Sequence, residues 1–175
     1  MLKSILYNHK FKNLSLYLFT SGISAIIGLF INPFLSIGLS HSDFATIGYY
    51  SAISMILAPI INFSLQAFYS KSYFLLKKEQ RKDLLNTLLS LHLLFGFFIF
   101  LFFIVGYYYY HESKILSIPF TPYALLSFIP IYFGSFYNMY LLELRMKDNA
   151  LMYTVVSLTN VVLAGFLSVF LVFIF

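Results

Sequence analysis

The sequence predicts an all-α integral membrane protein of about five transmembrane helices, with its N-terminus in the cytoplasm. Three observations carry this. Hydrophobic residues make up 61% of the chain and charged residues 10%, whereas soluble domains run at about 25% charged. The apolar residues gather into five continuous runs, each long enough to reach the roughly 18–20 residues of a spanning helix. The basic residues are confined to alternate segments between those runs. A chain with mean hydropathy +0.86 cannot cover a globular surface with polar groups, and its pI of about 9.3 therefore has to be read in a membrane before any anionic partner is considered. A β-barrel would alternate apolar and polar residues over about ten positions, and these runs do not.

The first run covers 14–39 and follows Lys3, Lys10 and Lys12. Its apolar length exceeds the roughly 7–15 residues of a signal-peptide core and no A-x-A site follows, so it reads as an uncleaved anchor. The second, 46–69, carries Ser54, Ala58, Asn62 and Gln66 at successive i+4 positions. The third, 84–107, contains His92 and leads into Tyr107–Tyr110, an interfacial aromatic belt at headgroup depth. The fourth, 123–142, has Ser127, Gly134, Ser135 and Asn138; the fifth, 151–175, has Ser157, Asn160, Ala164 and Ser168. Ser21, Ser24, Gly28 and Asn32 make the matching stripe on the first.

Small and polar residues at helical spacing mark contact faces between membrane helices. Packing accounts for most of these stripes. Asn62 and Gln66 point instead toward a ligand-lined cavity, because one packing contact rarely needs two amides a turn apart. Pro33, Pro59 and Pro130 each free a carbonyl of the preceding turn, at places where a membrane helix can bend.

Orientation follows from charge. With the N-terminus inside, segments 1–13, 70–83 and 143–150 are cytoplasmic. They hold Lys3, Lys10, Lys12, Lys71, Lys77, Lys78, Arg81, Lys82, Arg145 and Lys147, leaving only Lys114 outside. Such a bias over short loops is the positive-inside pattern. The stretch "KSYFLLKKEQRKD" (71–83) is accordingly a cytoplasmic loop in contact with anionic membrane lipids. It is too short to form the folded basic face a nucleic acid requires, so no nucleic-acid partner is expected.

Chemistry-bearing constellations are missing from the sequence. There is no nucleophile–base pair, carboxylate pair, phosphate loop or metal-spaced ligand set, and cysteine is absent; no enzyme, cofactor or metal is expected. His92 is the single ionisable group deep in a span; intramembrane ionisable groups are functional candidates by default, and the alternative, which weighs more here, is a hydrogen bond to a neighbouring helix.

The order of features resembles a known family. "SGISAIIGLFINPFLSIGLSHSDFATIGYYSAISMILAPI" is similar to the first helix pair of the polysaccharide and O-antigen flippases, which belong with the lipid II flippase and the MATE drug exporters. In those proteins the first helix ends in proline and leads to a short acidic–aromatic–glycine loop. Pro33, Leu39–Ser40 and Asp43–Phe44 match, with Ala45 where glycine is usual. "LQAFYSKSYF" resembles the basic–aromatic end of the second helix, Lys71 standing where arginine is common. "YNMYLLELRMKDNALMYTVVSLTNVVLAGFLSVFLV" resembles the end of the fourth helix and the fifth.

The resemblance implies one MATE-like transmembrane domain over 1–175, equivalent to the first five helices of an N-terminal lobe. It implies an inner-membrane translocase that flips a polyprenyl-pyrophosphate-linked oligosaccharide for surface polysaccharide or lipopolysaccharide synthesis. The family has twelve or fourteen helices, so a partial chain that works with a second lobe is expected. Substrate contacts would fall on Asn32, Asn62 and Gln66, with Lys71 as a pyrophosphate contact. The alternative is a non-transporting subunit that docks with other glycan-assembly membrane proteins.

Overall fold

The computed structural model describes residues 2–112 and 122–174, and every regular element among them is helical. In order these are α1 (Leu2–Gly38), α2 (His41–Asn62), α3 (Leu65–Tyr73), α4 (Lys78–Glu112), α5 (Tyr123–Met146) and α6 (Ala150–Ile174). Five of them are long and apolar enough to cross a membrane, with spans at Lys10–Gly38, His41–Asn62, Lys78–Gly106, Leu125–Met146 and Ala150–Ile174. At most 22% of any span is buried, and side chains such as Phe102 (82% exposed) face outward. Hydrocarbon rather than water is the solvent such surfaces require. Lys114 and the serine beside it lie outside the described residues.

The helices run further than the apolar pattern alone. α1 has 37 residues, about 55 Å at 1.5 Å per residue, against about 30 Å of bilayer hydrocarbon. Its basic beginning, including Lys10 and Lys12, is helix that extends past the apolar segment. Lys78, Arg81 and Lys82 likewise occupy the first turns of α4, and the basic stretch expected as a loop keeps only residues 74–77 as a linker.

Chain contacts divide the molecule into two units. One holds the residues up to Asp43 together with those from Leu141 onward; the other is Phe44–Tyr140. In the first unit α1 and α6 lie side by side. Asn13 donates to Asp148 (2.8 Å to Oδ1), Tyr17 meets Tyr153 edge-on at 5.0 Å, and Thr20 donates to Thr154 at 2.8 Å. Further along, Gly165 sits against Ile31 and Gly38 against Val172. Partner numbers rise together, so the two helices are parallel. Gly165 permits the approach, because a Cβ there would come within 3.2 Å of Ile31 Cγ1.

The polar stripe of this last span is not the face that meets α1. Asn160, Ala164 and Ser168 are exposed, while Ala150, Tyr153 and Gly165 are buried. The hydroxyls need no neighbour: Ser168 donates to Ala164 O, Ser21 to Tyr17 O and Ser24 to Thr20 O, each one turn back along its own helix.

Local chemistry places the helix ends. Ser40 and Asp43 form a reciprocal cap on α2: Asp43 Oδ2 accepts from Ser40 N (2.9 Å) and Ser40 Oγ from Asp43 N (3.3 Å). The α5–α6 turn is a Schellman closure, with Asn149 N bonded to Leu144 O and Asp148 N to Arg145 O. Asp148 takes the left-handed position (φ 57°), Asn149 Oδ1 then accepts from Met152 N to start α6, and Asn13 ties the turn to α1.

The largest departure from the sequence pattern lies in the second unit. The expected continuous helix 46–69 is two helices, α2 and α3, separated by Phe63 (φ 43°) and Ser64 (φ 55°). Two consecutive non-glycine residues in the left-handed region cost free energy. The helical ladder runs up to Phe63 N→Pro59 O and resumes with Phe68 N→Ser64 O. At the break Phe63 stacks on Phe95 of α4, with centroids 5.8 Å apart and planes 3° from parallel.

Candidate functional site

Within the second unit α2 and α5 flank an open cleft of about 410 Å³. Ser51, Ser54, Ala58 and Asn62 supply the α2 wall, with Met55 among them. Pro130, Ile131, Gly134, Ser135 and Asn138 supply the other. The i+4 spacing of Ser54, Ala58 and Asn62 puts them on one helical face. Ala58, Gly134 and the serines are small, and that is what leaves the space open. The lining has amides and hydroxyls but no Lys, Arg, Asp, Glu or His.

Asn62, the last residue of α2, carries the unresolved chemistry. Its Oδ1 is buried and has no hydrogen-bond partner. A buried amide oxygen left unpaired forfeits the hydrogen bond it had in water.

The opposite face of α2 is different. Tyr49, Ile53, Leu57 and Ile60 pack toward Phe98, Phe102 and Gly106 of α4 around an apolar groove of about 900 Å³. Thus α2 separates an amide- and hydroxyl-lined cleft from a hydrocarbon-lined one.

His92 fixes the other wall. It is 2% exposed, and its Nε2 lies 3.1 Å from Tyr132 O. Since a carbonyl only accepts, Nε2 carries the proton. The Tyr132 hydroxyl donates back to Leu93 O at 3.1 Å, giving α4 and α5 a two-way clamp. Tyr132 stacks on the imidazole at 5.4 Å and Phe136 meets it edge-on at 5.0 Å. Gly96 makes room, since a Cβ there would lie 2.7 Å from Tyr132 Cδ2. His92 is therefore a positioning residue, holding the helix that supplies Gly134, Ser135 and Asn138. Its Nδ1 is buried without a partner.

The other sequence candidates are dispersed. Gln66 lies beyond the break, and the lost helical register removes it from the Asn62 face. Neither it nor Lys71, in the last turn of α3, lines the cleft. Asn32 is exposed on α1, in the first unit. At the linker after α3, Arg81 lies over the Tyr73 ring, 4.2 Å from its centroid, and its Nε donates to Leu76 O at 2.9 Å. Sequence reasoning missed Ser51, which falls one helical turn before the stripe, and Tyr132, whose role depends on a tertiary contact.

No family model, curated protein or solved structure matches this chain. The five apolar helices define a multi-pass membrane protein.

Proposed function

We propose that this protein translocates a polyprenyl-pyrophosphate-linked oligosaccharide across the inner membrane for surface polysaccharide synthesis, with the N-terminus and the basic segments in the cytoplasm. The observation that carries the reading is the α2/α5 cleft. Its hydroxyls and amides lie on helices whose outer surfaces are apolar, an arrangement suited to passing a hydroxylated group through hydrocarbon. The broken α2–α3 pair beside Asn62 fits the same activity, because discontinuous helices border the substrate sites of many transporters. The resemblance in the order of prolines, caps and basic–aromatic ends supplies the substrate class. Lys71 remains the pyrophosphate contact in this reading, an ammonium being a suitable point charge for phosphate.

Deleting the gene in its native host tests the proposal. Surface polysaccharide should fall and lipid-linked repeat units should accumulate in the membrane, as seen by carbohydrate staining of envelope extracts. Unchanged polysaccharide with no accumulated intermediate would count decisively against translocation.

A further inference from the structure

We propose that the outward face of α3, with the linker that follows it, binds an anionic phospholipid of the leaflet on the side of the basic segments. The lipid is a resident of the membrane and not a cargo, so this surface does not depend on the translocation reading.

Pairing along α4 sets the depth of α3. Phe63 stacks on Phe95 just before α3, and Arg81 lies over Tyr73 at its end, so α3 runs antiparallel to α4 between those two levels. Phe95 stands eleven residues beyond Leu84, where the apolar run of α4 begins. At 1.5 Å per residue that is about 16 Å, half of the roughly 30 Å of bilayer hydrocarbon. α3 therefore crosses one leaflet, from the middle of the bilayer to the headgroups.

Its two faces differ. Tyr69 and Tyr73 are buried, and the bond from Arg81 Nε to Leu76 O holds the linker to the start of α4. Helical spacing puts Phe68 and Lys71 on the opposite face, and Phe74 and Leu75 prolong it. Phe68 is 56% exposed, Phe74 72% and Leu75 81%. Lys71, Lys77 and Lys78 are exposed beside them.

A phospholipid offers the same two chemistries in the same order along the bilayer normal. Phe68 lies at acyl-chain depth, and the lysines follow at the level of the phosphate, Lys71 reaching it along its own apolar stem. Aromatic and basic side chains together are what an interfacial lipid contact uses. Residues 71–83 hold five cations against Glu79 and Asp83, so the surplus is positive and the charge complement is an anionic headgroup.

The chain has no tryptophan, so Phe68→Trp places a single fluorophore on this face. The protein is reconstituted in vesicles of mixed phosphatidylglycerol and phosphatidylcholine, with brominated acyl chains on one lipid or on the other. Bromine quenches at contact range, and the two samples together report which lipid sits beside α3. Phosphatidylglycerol should be favoured at least about threefold, since a single lysine near an anionic surface is worth about fivefold. Lys71→Gln, Lys77→Gln and Lys78→Gln combined should abolish the preference while quenching itself remains. Phe102→Trp, on an exposed apolar site near the other end of α4, should show none. Phe74→Trp repeats the measurement on the same face if Phe68→Trp folds poorly.

Equal quenching by both lipids at α3 would overturn the proposal, as would a preference that survives loss of the three lysines. The same preference at Phe102→Trp would also overturn it, because the anionic lipid would then be gathered by the whole molecule. No quenching by either lipid would mean that protein, not lipid, covers α3.

Discussion

His92 shows how much a single intramembrane residue contributes without touching a ligand. Its ring fills the space between α4 and α5, and its Nε2–H satisfies Tyr132 O. The two contributions are separable. His92→Phe keeps a ring of similar size and loses one interhelical hydrogen bond, which averages about 0.6 kcal/mol in a membrane protein. His92→Ala also loses the ring and leaves a cavity, at a cost of about 2–4 kcal/mol by analogy with large-to-small core changes. Thermal unfolding in detergent should therefore rank wild type above His92→Phe and His92→Phe well above His92→Ala. Equal melting of the two variants would mean that packing of the ring contributes nothing. The sequence marked His92 because a titratable group in hydrocarbon is conspicuous. It could not mark Tyr132, one of fifteen tyrosines, because the clamp needs α5 placed against α4 first.

At the scale of elements, hydrophobic run length found all five spans, since the bilayer imposes that length directly, but it set the second about one to two turns too late, at 46–69 against His41–Asn62. The break after Asn62 was not legible. No glycine announces it: Pro59 removes one ladder donor, yet the chain turns at Phe63 and Ser64, where Phe63 stacks on Phe95. Local propensity does not mark this turn, and it separates Gln66 from the Asn62 face. The parallel α1/α6 pair was equally hidden, because it joins residues some 134 positions apart. Thr20 and Thr154 hydroxyls lie 2.8 Å apart, within reach of a disulfide. Thr20→Cys with Thr154→Cys, the only thiols in the chain, should couple readily on mild oxidation, read as loss of maleimide mass-tagging. Gly165→Leu drives a side chain into Ile31; overpacking costs about 1–3 kcal/mol, so coupling should slow by about tenfold. Adding Ile31→Ala should restore most of the rate. Coupling unaffected by Gly165→Leu would show that the close approach at Gly165 does not hold the pair together.

The whole molecule is constrained by that same pair. Helices that run parallel begin on the same side of a membrane, so an odd number of crossings must separate them. α2, α4 and α5 supply three. The Asn13–Asp148 bonds also bring the start of α1 and the α5–α6 turn to one end of their unit, so Lys10, Lys12, Arg145 and Lys147 gather there. The charge bias of the sequence assigns the α3–α4 linker and the basic first turns of α4 to the same side. The positive-inside rule puts that end of the unit in the cytoplasm. Gln80 and His41, both exposed, report the two sides in a chain without cysteine. In intact cells an impermeant maleimide should label His41→Cys, and Gln80→Cys should react only after the membrane is permeabilised. The opposite pattern would invert the orientation and leave the five crossings intact. Labelling of both sites in intact cells would be more serious, because it would remove the crossing between α1 and α4 on which the parallel pair depends.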